Sequence, residues 1–329
     1  MKGRAHERDF DRIVRNCLPD GELVYHSFPG CAEQTFTRVH RQGGAAILEA
    51  ATTHAESLYE EVRYEHSKFR MGGSPFSETW KRQVLREYEL ADYILVSSVL
   101  QQRSFIEGGQ PPSKILRAPL GIDTNHFSPL PGQSISFRPR EQGEKFRIIQ
   151  VGQVSLLKGF QYVLEALKLL NDPEIEILLL GGIGWRGVRR MVESYQRSGV
   201  RVLRHSGDPV PWFRSSHICV HASIQDGFGL APLEAMSCGL PLIVTNTTGL
   251  QETVRDGVNG YVIRSRDVNQ IAERIQFLKE NDDIRINMAR KARATALEYD
   301  VTIAKRNYAQ ILHNVWNPER SERSGQSNV

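Results

Sequence analysis

The sequence predicts an α/β protein built from two parallel-sheet domains, and three observations carry that prediction. Its 329 residues exceed what one ordinary domain needs. Apolar, β-branched runs recur at even spacing and alternate with stretches whose apolar residues return every three or four positions. That is the pattern of a parallel sheet covered by helices on both faces. A stretch rich in Pro, Gly, Ser and charge, SPLPGQSISFRPREQGEK at 128–145, separates two such sets and reads as a linker.

Residues 1–127 form the first set. The chain opens on a helix-like stretch, RDFDRIVRNC. Four strand candidates follow: GELVYHS (21–27), AAILEAATT (45–53), YILVSS (93–98) and ILRAPLG (115–121). Helical segments near 34–42, 56–70 and 78–91 separate them, the last with Ser77 placed as its N-cap. No strand with a glycine-rich turn opens this set, so the first domain is expected to be incomplete at its front. Residues 146–300 form the second set, with six runs: RIIQVGQ (147–153), IEILLLG (175–181), RVLRHSG (201–207), ICVHAS (218–223), LIVTN (242–246) and YVIRS (261–265). FQYVLEALKLL at 160–170 and VRRMVESYQRSG at 188–199 read as helices, the second with Gly199 as a C-cap. Six strands suffice for a doubly wound sheet, which binds ligands beyond the carboxyl ends of its strands. Residues 301–316 read as a helix returning to the first domain, and the polar tail 317–329 as disordered.

Composition excludes several classes. The formal net charge of +4 is spread along the chain, with no basic arm of the kind that binds nucleic acid. The longest apolar run, IEILLLGGI at 175–183, is of strand length, well short of the ~18 residues a membrane span needs. The start, MKGRAHERDFDRIV, lacks the apolar core of a secretory signal. Four cysteines, Cys17, Cys31, Cys219 and Cys238, show neither CxxC pairing nor metal-ligand spacing. Cys219 and Cys238 read as buried thiols. A cytoplasmic setting is expected, with peripheral contact to the inner face of a membrane.

The stretch QDGFGLAPLEAMSCGLPLIV at 225–244 carries the chemistry. It reads as a loop after the strand ICVHAS, then a helix of about two turns with Pro232 at its first position, ended by Gly239 and Pro241. Amides of Gly229, Leu230 and Ala231 would then be free to bind an anion. Gly227 and Gly229 let the backbone approach a ligand closely. Glu234 on the first helical turn either complements the helix dipole or accepts from a sugar diol. In VGQVSLLKGF, Lys158 follows the first strand of the same domain and lies beside Gly159. It is either a surface lysine or a second hold on the same anion. Gly182-Ile-Gly184-Trp-Arg-Gly187 matches the dinucleotide fingerprint, with Asp208 placed to bind a ribose. That motif belongs on a domain's first strand–helix turn, and here a complete strand–helix unit precedes it.

DGFGLAPLEAMSCGLPLI, with NTTGLQETVRDGVNGYVI at 246–263, resembles the retaining glycosyltransferases of glycosyltransferase family 4. VGQVSLLKGFQYVLEAL is similar to that family's phosphate-binding segment, and ELADYILVSS and LGIDTNHFSP to its first domain and linker entry. The resemblance implies a GT-B fold, two Rossmann-like domains facing a cleft. It implies a nucleotide diphosphate sugar donor, UDP- or GDP-linked, a glycan, lipid or small-molecule acceptor, and neither cofactor nor metal. Under it Glu234 takes the ribose hydroxyls and Asp226 lies near the transferred sugar. Gly152, Gln153, Gly227, Phe228, Gly229 and Leu230 contact the donor, the amides around Gly229 and Leu230 holding its diphosphate together with Lys158. His54, otherwise a strand-end histidine, falls where the family often places one on the sugar and acceptor side. Two positions depart from the family pattern: Gln153 stands where an arginine is usual, and Asp226 where a glutamate is usual. The alternatives to transfer are a catalytically degenerate nucleotide-binding scaffold and a nucleotide-sugar epimerase.

Overall fold

The computed structural model describes residues 2–132, 134–184, 186–195, 200–203 and 207–317. In chain order the elements are α1 (Lys2–Cys17), β1 (Val24–Ser27), α2 (Glu33–Arg41), β2 (Ala45–Glu49), α3 (Ala55–Lys68), α4 (Glu78–Leu90), β3 (Tyr93–Val96), α5 (Val99–Glu107) and β4 (Ile115–Arg117). The second half contains β5 (Phe146–Val151), α6 (Phe160–Leu170), β6 (Ile175–Leu180), α7 (Arg186–Tyr195), β7 (Val200–Leu203), α8 (Val210–Arg214), β8 (Ile218–His221), α9 (Leu230–Ser237), β9 (Leu242–Thr245) and β10 (Gly260–Ile263). Three helices close the chain: α10 (Val268–Glu280), α11 (Asp282–Leu297) and α12 (Val301–Trp316). Ser77 caps α4, its side chain accepting from the Trp80 amide. The expected Gly199 cap and all of the tail beyond residue 317 lie outside the described residues, as does Trp185 of the fingerprint-like turn.

Every strand pair is parallel. The first sheet runs in the order β1-β2-β3-β4. Successive side chains of a strand point to opposite faces, and the core divides accordingly. Ala46, Leu48, Ile94 and Val96 pack with Phe36 of α2, Tyr88 of α4 and Phe105 of α5. The residues between them, Ile47 and Leu95, face Val315, Tyr308, Ile311 and Leu312 of α12. The second sheet runs β10-β9-β8-β5-β6-β7. Here too one face, with Ile148, Ile177, Leu179 and Val220, packs on α6 and α10. The other, with Ile149, Leu178, Cys219 and Val244, packs on α9 and α11. Cys219 and Cys238 are buried thiols, and burial pushes both up to about 12.

The chain divides into two compact units. One comprises residues 1–60, 74–119 and the helix from 302 onward; the other comprises 61–73 and 120–301. The linker expected at 128–145 is strapped to the second unit. Arg285, fully buried on α11, donates to the carbonyls of Ser136 and Arg138 at 2.9 Å each. Residues 61–73, expected with the first domain, also group with the second unit. Their anchor is Glu65, fully buried, which accepts from Arg266 Nε at 2.7 Å, Gln161 Nε2 at 3.0 Å and the Tyr162 hydroxyl at 3.0 Å. Arg266 adopts φ 68°, a left-handed conformation unusual for a residue with a side chain, to make this reach.

β5 and β8 are neighbours although three helices and two strands separate them in sequence, and their carboxyl ends approach closely. A Cβ on Gly159, at φ 68°, would sit 1.7 Å from the Ala222 carbonyl oxygen. Gly159→Ala is therefore expected to cost at least about 2 kcal/mol in urea unfolding, from the left-handed backbone and the overlap together. Arg266→Ala strips a buried carboxylate of its cation and is expected to cost about 3 kcal/mol by the same measurement. Adding Glu65→Gln to it should recover part of that loss, because the uncompensated charge is then gone.

Candidate active site at the switch point of the second sheet

In the order β10-β9-β8-β5-β6-β7 the direction of winding reverses between β5 and β8. Connections from these two strands leave in opposite directions, so their carboxyl ends open onto a crevice. The two segments singled out by sequence are the ones that leave β5 and β8. The fingerprint-like glycine turn follows β6, one strand away from the reversal, which removes the dinucleotide reading on topological grounds.

Lys158 ends a single 3₁₀ turn, Leu156–Lys158, directly after β5. Its backbone is fixed by Gln150, whose Nε2 donates to the Lys158 carbonyl at 2.5 Å. Its Nζ lies 2.5 Å from Asp226 Oδ2. The same oxygen is 3.0 Å from Nε2 of His221, the last residue of β8, and that nitrogen is 3.1 Å from Ser223 Oγ. His221 is buried, and desolvation holds it below its ordinary range. Asp226 is nearly as buried, yet the His221 hydrogen bond and the Lys158 charge outweigh desolvation and hold its carboxyl well below the usual carboxylate range. The loop carrying Asp226 is itself tied down. Its amide donates to the Thr247 carbonyl at 3.2 Å, and its carbonyl accepts from Gly249 at 3.0 Å.

Gly229, at φ 106°, precedes the first residue of α9. The amides of Leu230 and Ala231 open the helix and have no intrahelical acceptor. Pro232 sits at the third helical position, not the first as the sequence suggests. This costs nothing, because the first intrahelical bond is made by the next amide, Leu233 to the Gly229 carbonyl at 3.3 Å. The same shift places Glu234 in the second turn, where a helix dipole complements charge poorly. Glu234 is half-buried, and burial raises its carboxyl above the ordinary value, with His126 opposing the rise and Asp208 adding to it. His126 Nε2 is 3.1 Å from Asp208 Oδ1. Among the described residues no hydrogen bond reaches the Glu234 carboxylate.

The remaining candidates divide. Gly152, at φ 126°, faces open space, and Gln153 is exposed, its amide against Gly184. Leu230 is exposed and Gly227 is buried. Phe228 lies in the loop that leads from β8 to α9. Its ring is 2% exposed, packed in the core near Tyr299, so only its backbone borders the site. His54 follows β2 in the other unit. Its ring is 4% exposed, 5.2 Å from Tyr88 and 5.5 Å from Phe105, and burial lowers its proton affinity. It is a neutral core histidine, with Gly108 packed so tightly that a Cβ there would lie 2.6 Å from the ring. His221, Ser223 and His126 escaped the sequence reading. For His221 a signal exists: a titratable residue closing an otherwise apolar strand, five positions before Asp226. Among the described residues no group of three or more His, Cys, Asp or Glu is arranged to hold a metal ion. No helix among them is long and apolar enough to cross a membrane.

The sequence pattern of the family described as glycosyl transferases group 1 matches residues 133–295. D-inositol 3-phosphate glycosyltransferase of Paenarthrobacter aurescens is 26% identical over 223 residues, covering 62% of this chain and 53% of that protein. The protein of the same name from Thermobispora bispora is 26% identical over 331 aligned residues, covering 85% of this chain and 77% of the relative. The chain spans about half the length of curated relatives such as the Paenarthrobacter protein, 53% in that case. Among solved structures, Anabaena HepE in complex with UDP and glucose superposes with a TM-score of 0.72 at 18% identity, covering 93% of this chain and 80% of HepE. At that identity the likeness establishes the fold, GT-B with Rossmann-like domains. Lys158, His221, Asp226 and Glu234 all fall within residues 133–295, the span over which the chain matches the group 1 glycosyl transferases.

Proposed function

We propose that the chain transfers a hexose-type sugar from a nucleotide diphosphate sugar, UDP- or GDP-linked, to a hydroxyl of a glycan, lipid or small-molecule acceptor, with retention at the anomeric carbon. The observation that carries this reading is the pairing of two unlike features on one switch point. The α9 amides and Lys158 suit a diphosphate, and the Glu234 carboxylate, half-buried with no hydrogen-bond partner among the described residues, suits the neighbouring diol of a ribose. A carboxylate left without donors in a partly desolvated place costs free energy until a ligand supplies them. Two neighbouring ribose hydroxyls are donors of that kind.

Breaking the anomeric bond concentrates negative charge on the leaving diphosphate. Main-chain amides already in place, joined by the Lys158 ammonium once it leaves Asp226, stabilise that charge more in the transition state than in the ground state. Asp226 is held ionised, so it is poorly suited to donate a proton as the acid of a hydrolytic pair must. On this reading the leaving phosphate accepts the acceptor's proton. HepE, with UDP and glucose bound, supports a nucleotide-sugar donor by analogy of fold, and the inositol phosphate transferases support a hydroxyl acceptor. Neither assigns the sugar.

A thermal-shift panel of UDP, GDP and their sugars tests the donor class, because a ligand that binds only the folded state raises the melting temperature. Glu234→Ala should weaken binding of the preferred diphosphate by about tenfold to a hundredfold, from the loss of charge-assisted hydrogen bonds. Lys158→Ala should lower kcat by about a hundredfold or more, as removal of a single oxyanion donor does. Diphosphate binding without transfer in the unsubstituted chain would favour the scaffold reading. Unchanged turnover in both variants would remove the site assignment.

A further inference from the structure

We propose that His221 is a positioning residue of this site: by donating from Nε2 to Asp226 Oδ2 it lets Lys158 leave Asp226 for the donor diphosphate. The proposal rests on the reading of Lys158 given above. In the structure a single oxygen, Asp226 Oδ2, receives both Lys158 Nζ at 2.5 Å and His221 Nε2 at 3.0 Å. Lys158 is therefore sequestered, its charge spent on a neighbour. A diphosphate arriving at the crevice must draw the ammonium away, which would strand a nearly buried carboxylate. Such a stranded charge is costly. His221 removes that cost because its own bond to Oδ2 survives the exchange.

The geometry fixes which proton does this. Asp226 is ionised, so the nitrogen facing it must carry hydrogen, which selects the neutral Nε2–H tautomer; Ser223 Oγ, 3.1 Å from the same nitrogen, can then only accept from it. The imidazole cannot follow a moving partner. It closes β8, and its residue pairs with Val244 of β9 in the parallel register. A Cβ on Gly229 would come 3.7 Å from Nε2, so the ring is also walled in by the residue that precedes α9. Among the described residues the charged groups that bear on His221 are Asp226 and Lys158. The ring is 3% exposed and offers nothing to solvent.

The test compares His221→Ala and His221→Gln with the unsubstituted chain, since a glutamine amide can place its Nε2 donor near the imidazole nitrogen it replaces. His221→Ala should lower kcat by about tenfold to a hundredfold. It should also weaken the preferred nucleoside diphosphate while leaving the bare nucleoside, which lacks the anion, bound as before. Its kcat/KM should rise as pH falls across the mildly acidic range where the unsubstituted chain holds its value, because Asp226, having lost a donor that keeps it ionised, protonates there, releases Lys158 and leaves no charge to strand. His221→Gln should restore most of kcat and flatten the pH profile. Urea midpoints of both variants separate these effects from loss of fold, and if His221→Ala does not fold, His221→Gln against Lys158→Ala carries the comparison. Equal kcat and equal pH profiles in His221→Ala and the unsubstituted chain would overturn the proposal, as would a glutamine variant no better than alanine. An unsubstituted chain that neither binds diphosphate nor transfers sugar would instead bring down the functional reading, and this inference with it.

Discussion

The reversal of winding between β5 and β8 is the constraint on which the site depends. Parallel strands need long crossovers, and each crossover carries the chain away from the carboxyl end it has just left. Only where neighbouring strands send their chains in opposite directions do two carboxyl ends stay uncovered. Here that place brings a turn from the first strand of the sheet beside a loop from the fourth, residues 158 and 226 being 68 positions apart. The Gly159 backbone lies against the Ala222 carbonyl with no room for a side chain. A glycine is needed because two strand ends converge, and the convergence is what brings the Lys158 ammonium to Asp226.

The two acids of the 226–234 stretch meet opposite electrostatic environments, although one loop and one helical turn separate them. Asp226 is saturated: an imidazole and an ammonium share one of its oxygens, and its proton affinity falls despite burial. Glu234 is half-buried with no such partners, and its proton affinity rises. Spacing sets this difference. Asp226 belongs to the loop leaving β8 and cannot avoid the residue that ends that strand. Glu234 is carried past it by α9 and looks toward the loops holding His126 and Asp208. An acid whose hydrogen bonds are complete is a fixed part of the wall, whereas an acid without them is a vacancy for donors.

Much of this was legible in the sequence, and the exceptions share a cause. The ten strands and their grouping follow from local periodicity, because parallel strands buried on both faces are apolar throughout. That Lys158 and the start of α9 follow the ends of β5 and β8 is legible because turn chemistry marks strand ends. The reading failed where a residue's role depends on what comes from far along the chain. His54 looks like a strand-end histidine, but Tyr88 and Phe105 close over it. Residues 61–73 look like the end of a first-domain helix, but Glu65 is claimed by Arg266, 201 positions away. Phe228 looks like part of a binding loop, but the core takes its ring. Pro232 was misplaced by two positions because proline is tolerated throughout a helix's first turn, so its presence locates the turn and not the residue. His221 was passed over because a lone histidine in an apolar strand is ordinarily a core residue, and its identity as a partner of Asp226 exists only in three dimensions.

The arrangement also limits which chemistry the crevice can support. A pair of carboxylates that hydrolyses a glycosidic bond needs one of them protonated near neutrality and the other free to attack or to activate water. Asp226 meets neither requirement, since it is ionised and one of its oxygens is already held twice. Glu234 has the raised proton affinity of an acid. It stands eight residues further on, however, beyond the amides that would have to stabilise the departing group, so it addresses a different part of any ligand seated on them. Two acids that cannot act on the same bond leave stabilisation of the leaving group as the driving contribution, and the site is built for that. Its fixed donors are main-chain amides, which need not reorganise when charge arrives. The one group that must move, Lys158, leaves behind a carboxylate that remains hydrogen-bonded, so the motion that engages the ligand does not create a second charge to be stabilised.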